Sequence, residues 1–320
     1  MVQTLWKGSA PLTAAGLLMI AALAAAVVGL AIDPRIVTGA PVWFKPAKFA
    51  VSNAIYMFTL AWIFTLIPEW TRTRRLVGWT TAVILVMETA IIGLQAFRGT
   101  TSHFNVATLL DGILFGVMGV GILVWTLATI VVAVVLWRHQ LPDRALGWSL
   151  RLGMTITIVG AISGGLMTQP TRQQLDAAQA GQRMVVAGAH TVGAPDGGPG
   201  LIGTGWSTDH GDLRVPHFLG LHALQLLPIV SLLLARRGVS DSLRVRLTIA
   251  AAASYASLFA ILLSQALRGQ SVVAPDQLTA TLLGAWVVAT GVVAAAAAAL
   301  RLHPRSRPAM ATSIQARADR

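Results

Sequence analysis

Long runs of apolar residues, separated by short polar segments, dominate the chain. A helix that crosses a bilayer needs roughly 20 predominantly apolar residues. By that criterion the pattern predicts eight transmembrane helices, at residues 10–32, 49–67, 76–97, 106–137, 145–167, 216–235, 247–268 and 278–302. The predicted fold class is therefore all-α: a polytopic transmembrane helix bundle that forms a single integral membrane domain over residues 1–320.

Composition agrees with a membrane protein. Hydrophobic residues make up 55% of the chain and charged residues only 11%, whereas a soluble domain carries roughly a quarter charged residues. Cysteine is absent, which excludes disulfides, iron–sulfur clusters and thiolate metal sites. The net charge of +12 comes mainly from basic residues between the apolar runs, so the positive-inside rule explains it and we predict no nucleic-acid partner.

The basic residues also predict the orientation of the bundle. Connections on the side of the termini hold sixteen Lys and Arg residues, and those on the other side hold eight. Both termini are therefore predicted to be cytoplasmic, with residues 303–320 as a basic cytoplasmic tail. Residues 168–215 form a long extracytoplasmic loop, either a lid over a site or a solvated connection. Thr171 and Gln174 in this loop have the spacing of a helix capping box.

Polar side chains concentrate in the predicted outer half of the membrane, where ionisable groups are costly and mark function by default. The residues concerned are Lys45, Lys48, Tyr56, Glu88, Gln95, Asp111, His222, Gln225 and Arg268. The inner halves of the same helices offer mainly Ser and Thr. This one-sided pattern favours a pocket open to the outer side over a conduit through the membrane.

Five of the seven histidines lie on the outer side, and a neutral imidazole is both the commonest metal ligand and a haem ligand. His217 and His222 are five residues apart, roughly 140° around a regular helix, so they are poorly placed to chelate one metal. A site would instead pair His103 with His222, with His217 as a substitute. His190 and His210 are predicted to be structural.

Four segments carry a resemblance to a known group of sequences: WFKPAKFAVSNAIY (43–56), ETAIIGLQAFRGTTSHFN (88–105), HTVGAPDGGPG (190–200) and GDLRVPHFLGLHALQ (211–225). They resemble a recurring pattern in bacterial hypothetical integral membrane proteins. The resemblance covers residues 43–236 and implies location in a bacterial cell membrane, but no mechanism. The span count and histidines are also similar in outline to haem A synthase, whose two matching halves are not evident here.

These residues predict a membrane oxidoreductase with a haem b or copper site near the outer face. The predicted metal ligands are His103, His217 and His222. The predicted catalytic residues are Glu88, Asp111 and Tyr56. The predicted cofactor-binding residues are Lys45, Lys48, Arg268, Gln95 and Gln225. Besides the lipid bilayer, the predicted partners are a quinone or other small hydrophobic substrate, and a homo-oligomer or membrane complex.

Two further hypotheses stay open at this point. A transporter or lipid-binding permease would use the same pocket without a cofactor and would need a broken helix or an inward-facing polar counterpart. Pro228 is the only clear mid-span proline that favours it. A structural subunit of a membrane complex is the third hypothesis. Alanine at Glu88 or His222 would then affect assembly more than activity.

Overall fold

The computed structural model describes residues 2–302, which are mostly helical. The predicted tail at 303–320 lies outside the described residues. The helices are α1 (Val2–Gly8), α2 (Ala10–Ile32), α3 (Phe44–Thr65), α4 (Thr71–Phe97), α5 (Leu109–Arg138), α6 (Arg144–Gly164), α7 (Arg172–Gln179), α8 (Arg214–Leu221), α9 (Ala223–Arg236), α10 (Asp241–Leu267) and α11 (Gln277–Leu302). Two short antiparallel pairs join β1 (Ile36–Val37) to β2 (Ala40–Pro41) and β3 (Thr191–Val192) to β4 (Gly211–Asp212).

Seven helices within residues 2–302 are long and apolar enough to cross a membrane, and the bent pair α8–α9 makes an eighth if it counts as one span. The chain is thus a multi-pass helical membrane protein. Seven predicted spans each coincide with one long helix, and the sixth, at 216–235, coincides with the bent pair. Helix α3 begins at Phe44, earlier than predicted, because Pro46 fits in the first helical turn, where a missing N–H costs nothing.

The main core lies between α2, α3, α4, α5 and α6. Its largest fully buried side chains include Leu12 and Met19 of α2, Leu60 and Phe64 of α3, and Met154 of α6. Lipid is as apolar as these side chains, so close van der Waals packing holds such helices together. Helix α11 is peripheral: few of its residues are buried, and it packs on α10.

Glycine permits an unusually close approach of α6 and α8. A Cβ added at Gly160 would lie 2.6 Å from the backbone of Gly220, and one at Gly164 would lie 2.7 Å from the His217 ring. Small residues at such crossings let two helix backbones meet. Gly112 and Gly116 have the same spacing on α5, but an added Cβ would meet nothing within 4 Å at either position.

The sixth predicted span is broken at His222, where α8 and α9 meet at 46°. The Thr157 hydroxyl of α6 spans the break, since it donates to the Leu221 carbonyl and accepts from the Leu224 N–H, both at 3.3 Å. A neighbouring helix thereby satisfies backbone groups that the break releases. The break precedes Pro228, which lies inside α9.

Residues 168–213 fold over one end of the bundle, and we call this segment the cap. Its helix α7 begins with the predicted capping box, which is confirmed. The Gln174 side chain donates to the Gly188 carbonyl and accepts from the Gly188 N–H, both at 3.0 Å. The cap also pairs with the α4–α5 connection, where the Ala187 N–H donates to the Phe104 carbonyl at 2.8 Å. The cap therefore covers what we call the cap end of the bundle, and α1 lies at the opposite end.

Candidate functional site

A buried carboxylate–histidine pair lies beneath the cap. Glu88 of α4 is buried, and its Oε1 lies 3.8 Å from Nε2 of His103. His103 belongs to the α4–α5 connection rather than to α5 itself. Its Nδ1 is 3.1 Å from the Ser102 hydroxyl. The sequence placed these two residues on different predicted segments, and the fold brings them together.

The cap supplies a second pair of the same type. Asp196 lies 2.5 Å from Nδ1 of His190 and accepts the backbone N–H groups of His190 and Thr191, at 2.9 and 3.0 Å. Burial raises the pKa of Asp196, but these hydrogen bonds outweigh it and hold that pKa below its usual range. A carboxylate on Nδ1 fixes the tautomer and orientation of an imidazole. His190 therefore has its Nε2 lone pair available.

Lys45 of α3 lies close to both pairs. Its Nζ lies 6.0 Å from the centre of the Phe49 ring, and within residues 2–302 it makes no hydrogen bond or ion pair. Burial lowers the pKa of His103 well below its ordinary value, and the charge of Lys45 lowers it further. Burial also lowers the pKa of His190 by more than Asp196 raises it. Both histidines are thus neutral near pH 7. We call Lys45, Glu88, His103, His190 and Asp196 the polar cluster.

Phenylalanine rings surround the polar cluster. The His103 ring lies 5.6 Å from Phe49, 6.1 Å from Phe104 and 6.5 Å from Phe115, measured between ring centres. Phe104 also meets the His190 ring edge-on at 4.8 Å. An aromatic wall with a few convergent polar groups is the usual lining of a site for a small organic ligand.

Asp111 and Gln95 belong to a separate network that holds the α4–α5 connection. Asp111 lies in the first turn of α5, where Thr108 caps the helix. Its Oδ1 accepts from Gln95 Nε2 at 2.9 Å and from Arg98 at 2.6 Å, and its Oδ2 accepts from the Thr108 hydroxyl at 2.6 Å. Both carboxylate oxygens are engaged in this network, and the predicted catalytic role of Asp111 stays a prediction.

Three more predicted site residues are engaged elsewhere. Arg268 pairs with Asp276 at 2.9 Å in the α10–α11 turn. Lys48 donates to the Thr204 carbonyl of the cap at 2.9 Å. The Tyr56 hydroxyl is 3.1 Å from that of Thr129, with its ring edge-on to Trp125. These contacts stabilise the turn, the cap and the α3–α5 interface, respectively.

The remaining predicted residues lie around the helix break. His217 donates its Nδ1–H to the Gly160 carbonyl at 2.7 Å, because a carbonyl oxygen can only accept. His222 stands at the break itself, with its ring centre 4.3 Å from that of Phe218. Gln225 donates to Thr59 at 3.4 Å, and its buried Oε1 has no hydrogen-bond partner among the described residues.

No group of three or more His, Asp or Glu residues in the described part of the chain could hold a metal ion. The contacts of His103 are with Glu88 and phenylalanine rings, whereas His222 packs on Phe218. The structure thus gives the expected His103–His222 pair no common contact, and a haem or copper site stays a prediction.

Sequence reasoning missed His190 and Asp196 as site residues. Asp196 lies in a Gly/Pro-rich segment that begins at Gly193, and His190 lies just before it. Gly193 and Gly197 have φ of 95° and 105°, values that glycine adopts readily, and these turns return Asp196 to His190. An acidic residue six positions after a histidine, with a glycine and a proline between them, was the available signal.

Comparison with protein-family models, with curated proteins and with solved structures finds no match for this chain. The function is therefore inferred from the geometry of the polar cluster.

Proposed function

We propose that the protein binds the ring of a membrane quinone in the polar cluster and exchanges a proton with the ring oxygens. One observation carries this proposal: the Lys45 side chain has no hydrogen-bond or ion-pair partner among the described residues, although it lies near the Glu88–His103 pair and its phenylalanine rings. Ionisable groups at membrane depth are retained for function by default. A flat ring with carbonyl oxygens matches both the charge and the aromatic wall.

Each polar group then has a distinct task. The Lys45 ammonium donates a hydrogen bond to one carbonyl oxygen, which has lone pairs and no proton of its own. The His103–Glu88 pair holds a proton close to the ring. His190, whose Nδ1–H is held by Asp196, presents an Nε2 lone pair that accepts a proton from a hydroquinone hydroxyl. The phenylalanine rings would pack against the quinone ring.

The test is the binding of a tail-less benzoquinone to purified protein, measured by isothermal titration calorimetry. We expect Lys45→Met and Glu88→Gln each to weaken binding at least tenfold, since each removes a buried charge-assisted contact. The matched controls, Lys7→Met and Glu69→Gln, change the same residue types at the opposite end and should leave affinity within twofold. Failure of the wild type to bind, or equal affinity of the cluster variants, would overturn the proposal.

The haem or copper proposal has its own test on the same preparation. Metal content and reduced-minus-oxidised visible spectra are compared for wild type, His103→Ala and His222→Ala. Stoichiometric iron with a Soret band, or stoichiometric copper, lost in either variant would support a metal ligand there. A folded, colourless, metal-free protein after attempted reconstitution would leave a metal-free quinone site.

Transport is a second candidate, and the helix break favours it. Transporters place broken helices beside their substrate sites, and α8 and α9 meet at 46° at His222. Because the chain has no cysteine, Phe49→Cys provides a single reporter at the polar cluster. Labelling of reconstituted protein by an impermeant maleimide from both faces would support transport. Labelling from one face alone would favour a fixed quinone site.

We also propose eight spans, with both termini in the cytoplasm and the cap outside a bacterial cell membrane. The basic connections at the opposite end and the bent pair counted as one span support this arrangement. Asp209 is an exposed cap residue, and Thr73 lies near the start of α4 at the opposite end. In intact spheroplasts an impermeant maleimide should label Asp209→Cys and spare Thr73→Cys. The reverse pattern would invert the proposed topology.

A further inference from the structure

An apolar groove of about 280 Å³ opens on the side of the bundle formed by α2, α3 and α4. Its lining includes Ala22 and Ala26 of α2, Pro46 of α3, and Thr89, Ala90 and Gly93 of α4. The volume is close to the lower end for small-molecule sites, about 300 Å³. Because α2 and α4 face the membrane, a hydrocarbon chain is the occupant that matches this lining.

The groove and the polar cluster lie on two sides of the same helix contact. Pro46 lines the groove, and its chain neighbour Lys45 belongs to the cluster. In the same way Thr89 lines the groove, and its neighbour Glu88 belongs to the cluster. Adjacent helical residues point about 100° apart. A ligand that passes between α3 and α4 would therefore reach from one to the other.

Along their contact, α3 and α4 are joined by a hydrogen bond at Thr89, whereas α4 is unobstructed one turn further on, at Gly93. Asn53 of α3 donates to the Thr89 hydroxyl at 2.9 Å, which ties the two helices. One turn nearer the cap end, Gly93 lines the groove, and a Cβ added there would meet nothing within 4 Å. Trp43, whose Nε1 donates to Asp33 at 2.8 Å, lines the groove near the start of α3. The groove side of α4 is thus unobstructed at Gly93.

We infer that this groove holds the prenyl tail of the quinone whose ring lies in the polar cluster. The inference rests on the proposed function and names its ligand as a prenylated quinone rather than a small free ring. The tail would lie along the alanines of α2 and pass Gly93. Gly93 is then a specificity residue, because any larger side chain there narrows the passage.

The experiment compares a tail-less benzoquinone with the same ring carrying two isoprene units. Dissociation constants are measured for wild type, Gly93→Leu and the matched control Gly116→Leu, in which leucine replaces an unobstructed glycine of α5. In wild type the tail should raise affinity at least tenfold beyond its effect on micelle partitioning. Gly93→Leu should lose most of this gain and keep the affinity for the tail-less ring within twofold, while Gly116→Leu should match wild type for both.

The outcomes separate the two proposals. If the tail-less ring binds but the tail adds nothing, or if Gly93→Leu keeps the gain, the groove inference is wrong and the ring site stands. If neither compound binds, both are wrong. Ala90→Leu fills the same groove from an exposed position, so it repeats the test should Gly93→Leu fail to fold.

Discussion

Each end of the bundle has a glutamate–histidine pair, and these two pairs differ in their surroundings. At the opposite end Glu69 lies 3.3 Å from His139, and the Glu69 side chain is 58% exposed. At the cap end the Glu88 side chain is 5% exposed. An exposed pair contributes little to stability because water screens it, whereas burying charged groups is costly. Burial of the carboxylate, rather than the contact itself, distinguishes Glu88–His103 from Glu69–His139.

Lys45 differs in the same sense from the basic residues at the opposite end. At the opposite end Arg74 donates to the carbonyls of Lys7 and Gly8, and Arg244 pairs with Asp143 at 2.7 Å. These guanidinium groups join helix ends to one another. Lys45 at the cap end makes no such contact within residues 2–302. The proposed quinone site rests on this difference.

The largest effect should come from removing the carboxylate that organises the cap. Asp196→Ala leaves the His190 and Thr191 N–H groups without their acceptor, at a cost of about 1–3 kcal/mol for each one that stays buried. We expect backbone amides of residues 185–213 to exchange hydrogen at least tenfold faster, with α1 and α4 unaffected. Mass spectrometry of deuterium uptake measures this.

Asp196→Asn is the matched control for this variant. It keeps an oxygen acceptor but removes the charge, so it should show an intermediate effect. Unchanged exchange in Asp196→Ala would contradict the assignment of Asp196 as the residue that orders the cap.

A smaller effect should follow from lowering the pH. Burial keeps the pKa values of His103 and His190 below that of an ordinary histidine, about 6.5. The unfolded chain therefore binds protons that the folded chain excludes, and stability falls as pH drops below about 6.5. Protonation of Asp196 reduces the stability of the fold only below about pH 4, because the pKa of Asp196 is depressed in the folded protein. We expect the melting temperature to fall by a few degrees between pH 7 and pH 5.

Substitutions of single histidines test which one causes the loss of stability at low pH. His103→Gln should reduce this pH dependence, and His139→Gln at the opposite end should leave it as in wild type. If His103→Gln loses stability on acidification as steeply as wild type, the buried imidazole is not the cause.

The sequence predicts the helices well and the site only in part. Spans such as 10–32 coincide with observed helices, because a membrane-spanning helix is recognisable from the apolar residues of its own segment. Glu88, His103 and Lys45 were identified because charge at membrane depth is rare. His190 was not, because its role depends on Asp196 and on the docking of the cap. The break at His222 was also missed, since the hydroxyl that stabilises it belongs to Thr157 on another helix.

The smallest effect is expected at Glu69, whose exposed pair with His139 should contribute little to stability. Glu69→Gln removes the charge from an exposed pair, which is worth about 0.2–1 kcal/mol at most. The melting temperature should change by less than about 3 °C, and 0.5 M salt should abolish the difference because it screens exposed charges. Thermal unfolding followed by circular dichroism measures both. A larger, salt-resistant loss would mean that Glu69–His139 is as consequential as Glu88–His103, and burial would no longer distinguish the two ends.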